Sequence, residues 1–192
     1  MYSLILDSAT TLLYVALVKD NKVLYESYVE GKNDHAKNIV FKVDEALNKS
    51  NIKVDDLSEV VVGIGPGSYT GVRMAVTVGK MIAAFKHISL YSVSTLKLMA
   101  SGYNGIVLST IDARRGNSFG AIFDTTKNKF IVEEALTETN KLKENDYEFE
   151  VNEASYKVNP LLVLTYKEKV ENPDLLIPNY LRDTEAERNL NA

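Results

Sequence analysis

Three groups of residues in this sequence have chemistry to offer: two aspartates that end apolar runs, one glycine-rich corner, and two histidines. Asp7 closes the run Tyr2–Leu6 and Asp112 closes Ile106–Ile111, each followed by a short polar turn. A carboxylate at a strand end, facing a glycine-rich loop, is what a phosphotransferase uses to set metal and phosphate in line. The corner itself is Gly65–Arg73, G-P-G-S-Y-T-G-V-R, directly after the β-branched run Val60–Ile64. Its glycines let the backbone turn sharply, and Ser68 or Thr70 can cap the helix that follows, so unpaired N–H groups and a positive helix end converge there. Anion binding is one reading of that corner and a close-packed strand-to-helix turn is the other, which the spacing favours. A Walker loop is excluded, because Gly71 is followed by Val72 and Arg73 and not by the lysine that reaches the outer phosphates. His35 and His87 stand far apart, and with no cysteine in the chain a metal centre would need distant carboxylates. No metal or other cofactor is expected.

The elements that must hold these residues come from periodicity. Tyr2–Leu6, Leu12–Val18 and Val23–Val29 read as three successive strands, the last two a hairpin turning at Asp20–Asn21. From Asp34 to Lys49 the pattern becomes helical, with Asn33 or Asp34 as N-cap. Ala36, Ile39, Val40, Val43, Ala46 and Leu47 share one side, and Phe41 lies opposite as a candidate partner contact. The helix after the corner has two apolar faces: a large one of Met74, Val78, Met81 and Phe85, and a small one of Val72, Ala75, Val76, Gly79 and Ala83. Arg73, Thr77 and Lys80 form a narrow polar stripe between them. Small residues at helical spacing let another helix approach closely. Leu90–Val93 is a further strand and Thr95–Ser101 a helix capped by Ser94. Ile106–Ile111, Ser118–Phe123 and Phe130–Leu136 form a meander. Residues 137–157 read as surface helix or loop and Leu161–Tyr166 as a last strand, while Pro173 and Pro178 exclude long elements beyond it.

The break at Gly102–Gly105 divides the chain into a lobe of residues 1–101 and a smaller lobe of 102–192, with the tail 176–192 docking back on the first. Each lobe opens with an apolar strand ending in aspartate, the arrangement of an actin-like, sugar-kinase-like architecture. At 192 residues and a formal net charge of −4, the chain can bury a real core and lacks the basic balance of a dedicated nucleic-acid binder. The absence of cysteine suits a reducing cytoplasm. The start, M-Y-S-L-I-L-D, has no basic region before its short apolar run, so it reads as a strand and not as a signal peptide. No run reaches the length of a membrane span.

Six segments in order carry a resemblance: I-L-D-S-A-T-T (Ile5–Thr11), N-D-H-A-K-N-I-V (Asn33–Val40), G-P-G-S-Y-T-G-V-R (Gly65–Arg73), V-S-T-L (Val93–Leu96), I-D-A-R-R-G (Ile111–Gly116) and P-N-Y-L-R (Pro178–Arg182). Together they closely resemble the TsaB (YeaZ-like) family, the bacterial accessory subunit for making threonylcarbamoyladenosine in transfer RNA. The resemblance implies an α/β, two-lobed actin-like (ASKHA, ribonuclease H-like) fold of mixed sheets flanked by helices, with no catalytic residues of its own. It implies a heterodimer with a TsaD-like catalytic subunit through a four-helix bundle, built from the first two helices of each partner. The expected activity of that complex is N6-threonylcarbamoylation of adenosine 37 in transfer RNAs that read codons starting with A. A TsaE-like ATPase and the transfer RNA are reached through the complex, and a homodimer forms on the same face when the chain is alone. The contact candidates are Phe41, Val72, Ala75, Val76, Gly79 and Ala83, so that Gly79→Leu or Ala83→Glu would block association and leave the fold intact. Ser68, Thr70, Arg73, Arg114 and Arg115 are candidate anion or RNA contacts, with surface ion pairs as the alternative. The catalytic relative's metal pair, H-x-x-x-H, corresponds here to His35 and Ile39, so one ligand is missing. Ala9 and Tyr14 stand where the family often has serine, and Leu12–Leu13 replace a glycine of its first turn, so a phosphate would meet bulk instead of donors. The alternative to an accessory subunit is an enzyme, either an actin-fold phosphotransferase or a glycoprotease-like hydrolase.

Overall fold

The computed structural model describes residues 1–31 and 35–181, with side chains from Asn38 onward in the first helix. The three opening strands are β1 (Tyr2–Asp7), β2 (Leu12–Lys19) and β3 (Lys22–Glu30). They are followed by α1 (His35–Lys49), β4 (Glu59–Gly63), α2 (Tyr69–Lys86), β5 (Ser89–Val93) and α3 (Thr95–Ala100). The rest of the chain forms β6 (Ile106–Asp112), β7 (Asn117–Asp124), β8 (Lys129–Glu138), α4 (Thr139–Lys143), β9 (Phe149–Val151), α5 (Pro160–Tyr166) and β10 (Glu168–Lys169). The expected N-cap of α1, Asn33 or Asp34, lies outside the described residues.

The first sheet has the order β10-β5-β4-β1-β2-β3 and the second β8-β7-β6-β9. In the first, β1, β4 and β5 run parallel, with Leu4 opposite Val60 and Val60 opposite Leu90, and β2 and β3 are added antiparallel. That mixture follows from the connections. A tight turn joins β1 to β2 and β2 to β3, whereas the crossovers to β4 and β5 each carry a helix. Alternate residues therefore face opposite sides. Leu4, Leu6, Val15, Leu17, Val60 and Val62 pack under α1 and α2, while Ile5, Tyr14, Ala16, Val18, Val61 and Val93 meet α3, α5 and the inner face of the second sheet at Val107, Ile111 and Phe123. Leu108 and Ile122 turn outward to Leu142 of α4. The middle cluster is shared by both sheets.

Two sequence expectations change. Leu161–Tyr166 is not a strand but part of α5, because Asn159 accepts from the Leu161 and Leu162 amides (3.2 and 3.3 Å) and Pro160 occupies the first turn. The buried residues Pro160, Val163 and Tyr166 fall at helical spacing, and the short apolar run hid that period. Residues 137–157 are not all surface. The strand β9 pairs in parallel with β6, and Val151, Tyr156 and Leu142 are buried. Just beyond α5, Lys167 pairs with the buried Glu59 of β4, which also accepts from Ser3 Oγ (2.6 Å). This pair sets β10 antiparallel against β5, so the late part of the chain completes the edge of the first sheet.

Candidate functional site

The corner that launches α2 is stitched to the first turn and to the start of α3. Ser68 N donates to Ala9 O (2.7 Å), Ser8 Oγ donates to Gly71 O (2.7 Å), and Gly65 N donates to Thr95 Oγ1 (3.1 Å). Gly67, at φ 151°, has no room for a Cβ, which would overlap the Ala9 carbonyl. Ser68 caps α2 by accepting from Gly71 N (3.3 Å), and its own carbonyl accepts from Val72 N (2.9 Å). Asp7 is fully buried beside this corner. Its Oδ2 accepts from Thr95 Oγ1 (2.6 Å) and its Oδ1 from Ala9 N (3.0 Å). Burial pushes its carboxyl up to about 6, partly offset by those two bonds. The Gly65, Ser68 and Gly71 amides are thus already bonded to the chain's own oxygens, and Gly67 packs tightly against Ala9.

Ser68, Thr70 and Arg73 share the first turns of α2, as the sequence placed them. Arg114 and Arg115 lie on a different turn, between β6 and β7, where both take left-handed backbone (φ 69° and 55°) and Asp112 Oδ1 accepts from Arg114 N (2.9 Å). The structure does not unite the two sets. His35 opens α1, and Ile39, where a second metal ligand would stand, is buried in the core. Among the described residues no three histidine or acidic side chains converge.

The small face of α2 is where the expectation has to be corrected. Val72, Ala75, Val76, Gly79 and Ala83 are all buried within the chain itself, packed on the first sheet. A Cβ at Gly79 would overlap Val62 Cγ1 of β4. Small side chains bring the helix close to its own sheet, so they present no surface to a partner. Phe41 is exposed as expected, at 62%, and Val40, assigned by its spacing to the core side of α1, is exposed beside it in sequence. On α2 the exposed apolar residues belong to the large face, with Met81 at 54% and Phe85 at 78%. Ile39, Tyr69, Arg73, Met74, Thr77 and Val78 line a groove of about 340 Å³ at the N-terminal half of that face. The sequence signal for these residues was available: a helix lying on a parallel sheet turns its smallest face inward, which leaves Met81 and Phe85 outside.

A strap of chain crosses the polar stripe of α2. Lys80 Nζ donates to the carbonyls of Asp174 and Leu176 (3.2 and 3.4 Å), and Asn179 N donates to Ile64 O (2.7 Å). Asn179 Nδ2 also donates to Glu134 Oε2 of β8 (2.9 Å), while Ser94 Oγ bonds the other oxygen of the same carboxyl. Burial raises the Glu134 carboxyl above its ordinary range. Leu175 and Ile177 of the strap are exposed, and Tyr180 stacks on Tyr69.

Residues 29–159 match the family model described as TsaD: tRNA N6-adenosine threonylcarbamoyltransferase. The tRNA threonylcarbamoyladenosine biosynthesis protein TsaB of Bacillus subtilis (strain 168) is 33% identical over 126 residues, 64% of this chain and 55% of that protein. Its namesake in Escherichia coli (strain K12) is 34% identical over 134 residues, 67% of this chain and 57% of that protein. The chain belongs to the TsaB (YeaZ-like) family. The matched regions span little more than half the length of those two relatives. The solved structure of YeaZ from Pseudomonas aeruginosa superposes with a TM-score of 0.80 at 20% identity, covering 94% of this chain and 99% of that one. The fold is therefore the α/β fold of that YeaZ structure, with the two mixed sheets flanked by helices that the sequence implies.

Proposed function

We propose that this chain is a non-catalytic accessory subunit that binds a TsaD-like catalytic subunit and supports threonylcarbamoylation of adenosine 37 in transfer RNA. The observation that carries the reading is the exposed apolar surface of Val40, Phe41, Met81 and Phe85 on the two helices that cover one face of the first sheet. Large apolar side chains on neighbouring helices are what a helical partner covers, and removing them from water drives association. The contact set moves accordingly: Phe41 stays, and the large face of α2 replaces the small one. The bonded Gly65, Ser68 and Gly71 amides and the close packing of Gly67 on Ala9 support the non-catalytic half of the reading over a phosphotransferase. A TsaE-like ATPase and transfer RNA are engaged through the assembled complex, and a homodimer on the same face is its resting form.

Mixing the purified chain with a TsaD-like subunit from the same source tests this. A stable one-to-one complex on sizing, and modification activity that needs both proteins, are expected. Full activity of the TsaD-like subunit without this chain would refute the role, and tight, magnesium-dependent ATP binding by the isolated chain would favour the enzyme.

A further inference from the structure

Among the described residues one positive charge, Arg73, lines the groove beside α2, and its own chain holds it in place. Arg73 Nη1 donates to Tyr69 Oη (2.7 Å), and the guanidinium carbon sits 4.9 Å from the centre of the Tyr69 ring. The Tyr180 ring stacks on Tyr69 as well, with centroids 5.0 Å apart at 29°. Tyr180 is fixed in turn because its neighbour Asn179 is bonded through its amide to Ile64 and through its side chain to Glu134. A long side chain that ordinarily samples many rotamers is thus braced by two aromatic rings and the strap.

Among the described residues, Tyr69 is the one hydrogen-bond acceptor for the five N–H groups of the braced guanidinium. Among the described residues no carboxylate forms an ion pair with Arg73. Around it the groove offers the apolar side chains of Ile39, Met74 and Val78, and a partner that covers them would shield any charge pair made there from water. An RNA backbone asks for a track of cations on a wet surface, whereas a single arginine at the mouth of an apolar groove suits a carboxylate carried on an apolar helix.

We propose that Arg73 is a preorganised anchor for an aspartate or glutamate on the partner helix that fills this groove, and that Tyr69 and Tyr180 are its positioning residues. The inference rests on the partner reading above and adds the chemistry of the partner's contact residue. The partner segment is an amphipathic helix with a carboxylate one turn away from apolar side chains that enter beside Met74 and Val78.

Calorimetric titration of the full chain with a TsaD-like subunit, repeated at low and high salt, tests it, with a thermal melt of each variant as a check on folding. Arg73→Gln is expected to weaken the complex by about 30-fold or more and to flatten its salt dependence. Arg73→Lys, which keeps the charge and loses the fork, is expected to fall in between. Tyr180→Ala is expected to cost about tenfold and Tyr180→Phe almost nothing, since the ring and not the hydroxyl braces the stack. Affinity of Arg73→Gln within about threefold of the unaltered chain would overturn the anchor and leave the accessory reading standing. Unchanged heterodimer affinity with weakened transfer RNA binding by the assembled complex would also overturn it, in favour of a phosphate contact. No binding by the unaltered chain would remove the partner and both readings with it.

Discussion

The two apolar faces of α2 have nearly equal claims to hydrophobicity and opposite fates. One consists of Val72, Ala75, Val76, Gly79 and Ala83 and is sealed against β4 and its neighbours; the other ends in Met81 and Phe85, which stand in solvent. Size decides between them. A helix axis can approach a twisted sheet only where its side chains are short, and at Gly79 α2 lies so close over Val62 that a Cβ would overlap it. Long side chains on the far face then have nothing of their own chain to cover them. The lesson is that apolar periodicity locates a helix's faces, while side-chain volume assigns them to core or surface.

That assignment breaks most visibly under a buried charge. Ala83→Glu places a carboxylate against the core and is expected to lower the unfolding free energy by about 4 kcal/mol or more, read by urea denaturation. Gly79→Leu forces overlap with Val62 and is expected to cost about 3 kcal/mol in the same assay. Both variants therefore act on the stability of the chain itself, and a Gly79→Leu protein that melts normally but fails to associate would restore the opposite assignment. The corner at the start of α2 sharpens the comparison from the polar side. The Asp7 carboxyl titrates near 6 in the folded chain, above its unfolded value of 3.8, so the folded state holds the proton more tightly. Its stabilising contribution is complete below pH about 4 and is lost as pH rises through about 6. Asp7→Asn, which cannot ionise, is expected to remove that slope, measured by denaturation across pH. A pH profile identical to that of the unaltered protein would refute it. The exposed face should respond the other way round. Phe85→Ser is expected to leave unfolding free energy within about 0.5 kcal/mol and to weaken the heterodimer by about 2 kcal/mol.

Much of the fold is legible in the sequence. The three opening strands, the turn at Asp20, the Ser68 and Ser94 caps and the meander from Ile106 all lie where the residues place them, because each has a local cause: alternation, a turn residue or a hydroxyl cap. The elements that differ have one local cause and one distant one. The helix α5 needs the Asn159–Pro160 start signal to outweigh a short apolar run. The strand β9 has three residues and gains its order from pairing with β6, so no local period announces it. At the candidate site, Phe41 is visible as a residue on the wrong side of its helix. The brace on Arg73 is not, because Tyr69 and Tyr180 are far apart in sequence and meet only through the strap.

The ion pair between Lys167 and Glu59, with the two-residue strand beside it, has a consequence for how this chain is made. As it leaves the ribosome, the first sheet can gather its five early strands and two covering helices, but its underside at Ile5, Tyr14 and Val61 waits for groups from the second sheet and α5. Its open edge at β5 waits for residues 168–169. A chain stalled near its midpoint would hold half a sandwich with a bare lower face, which is a substrate for chaperones or proteases and not a smaller working protein.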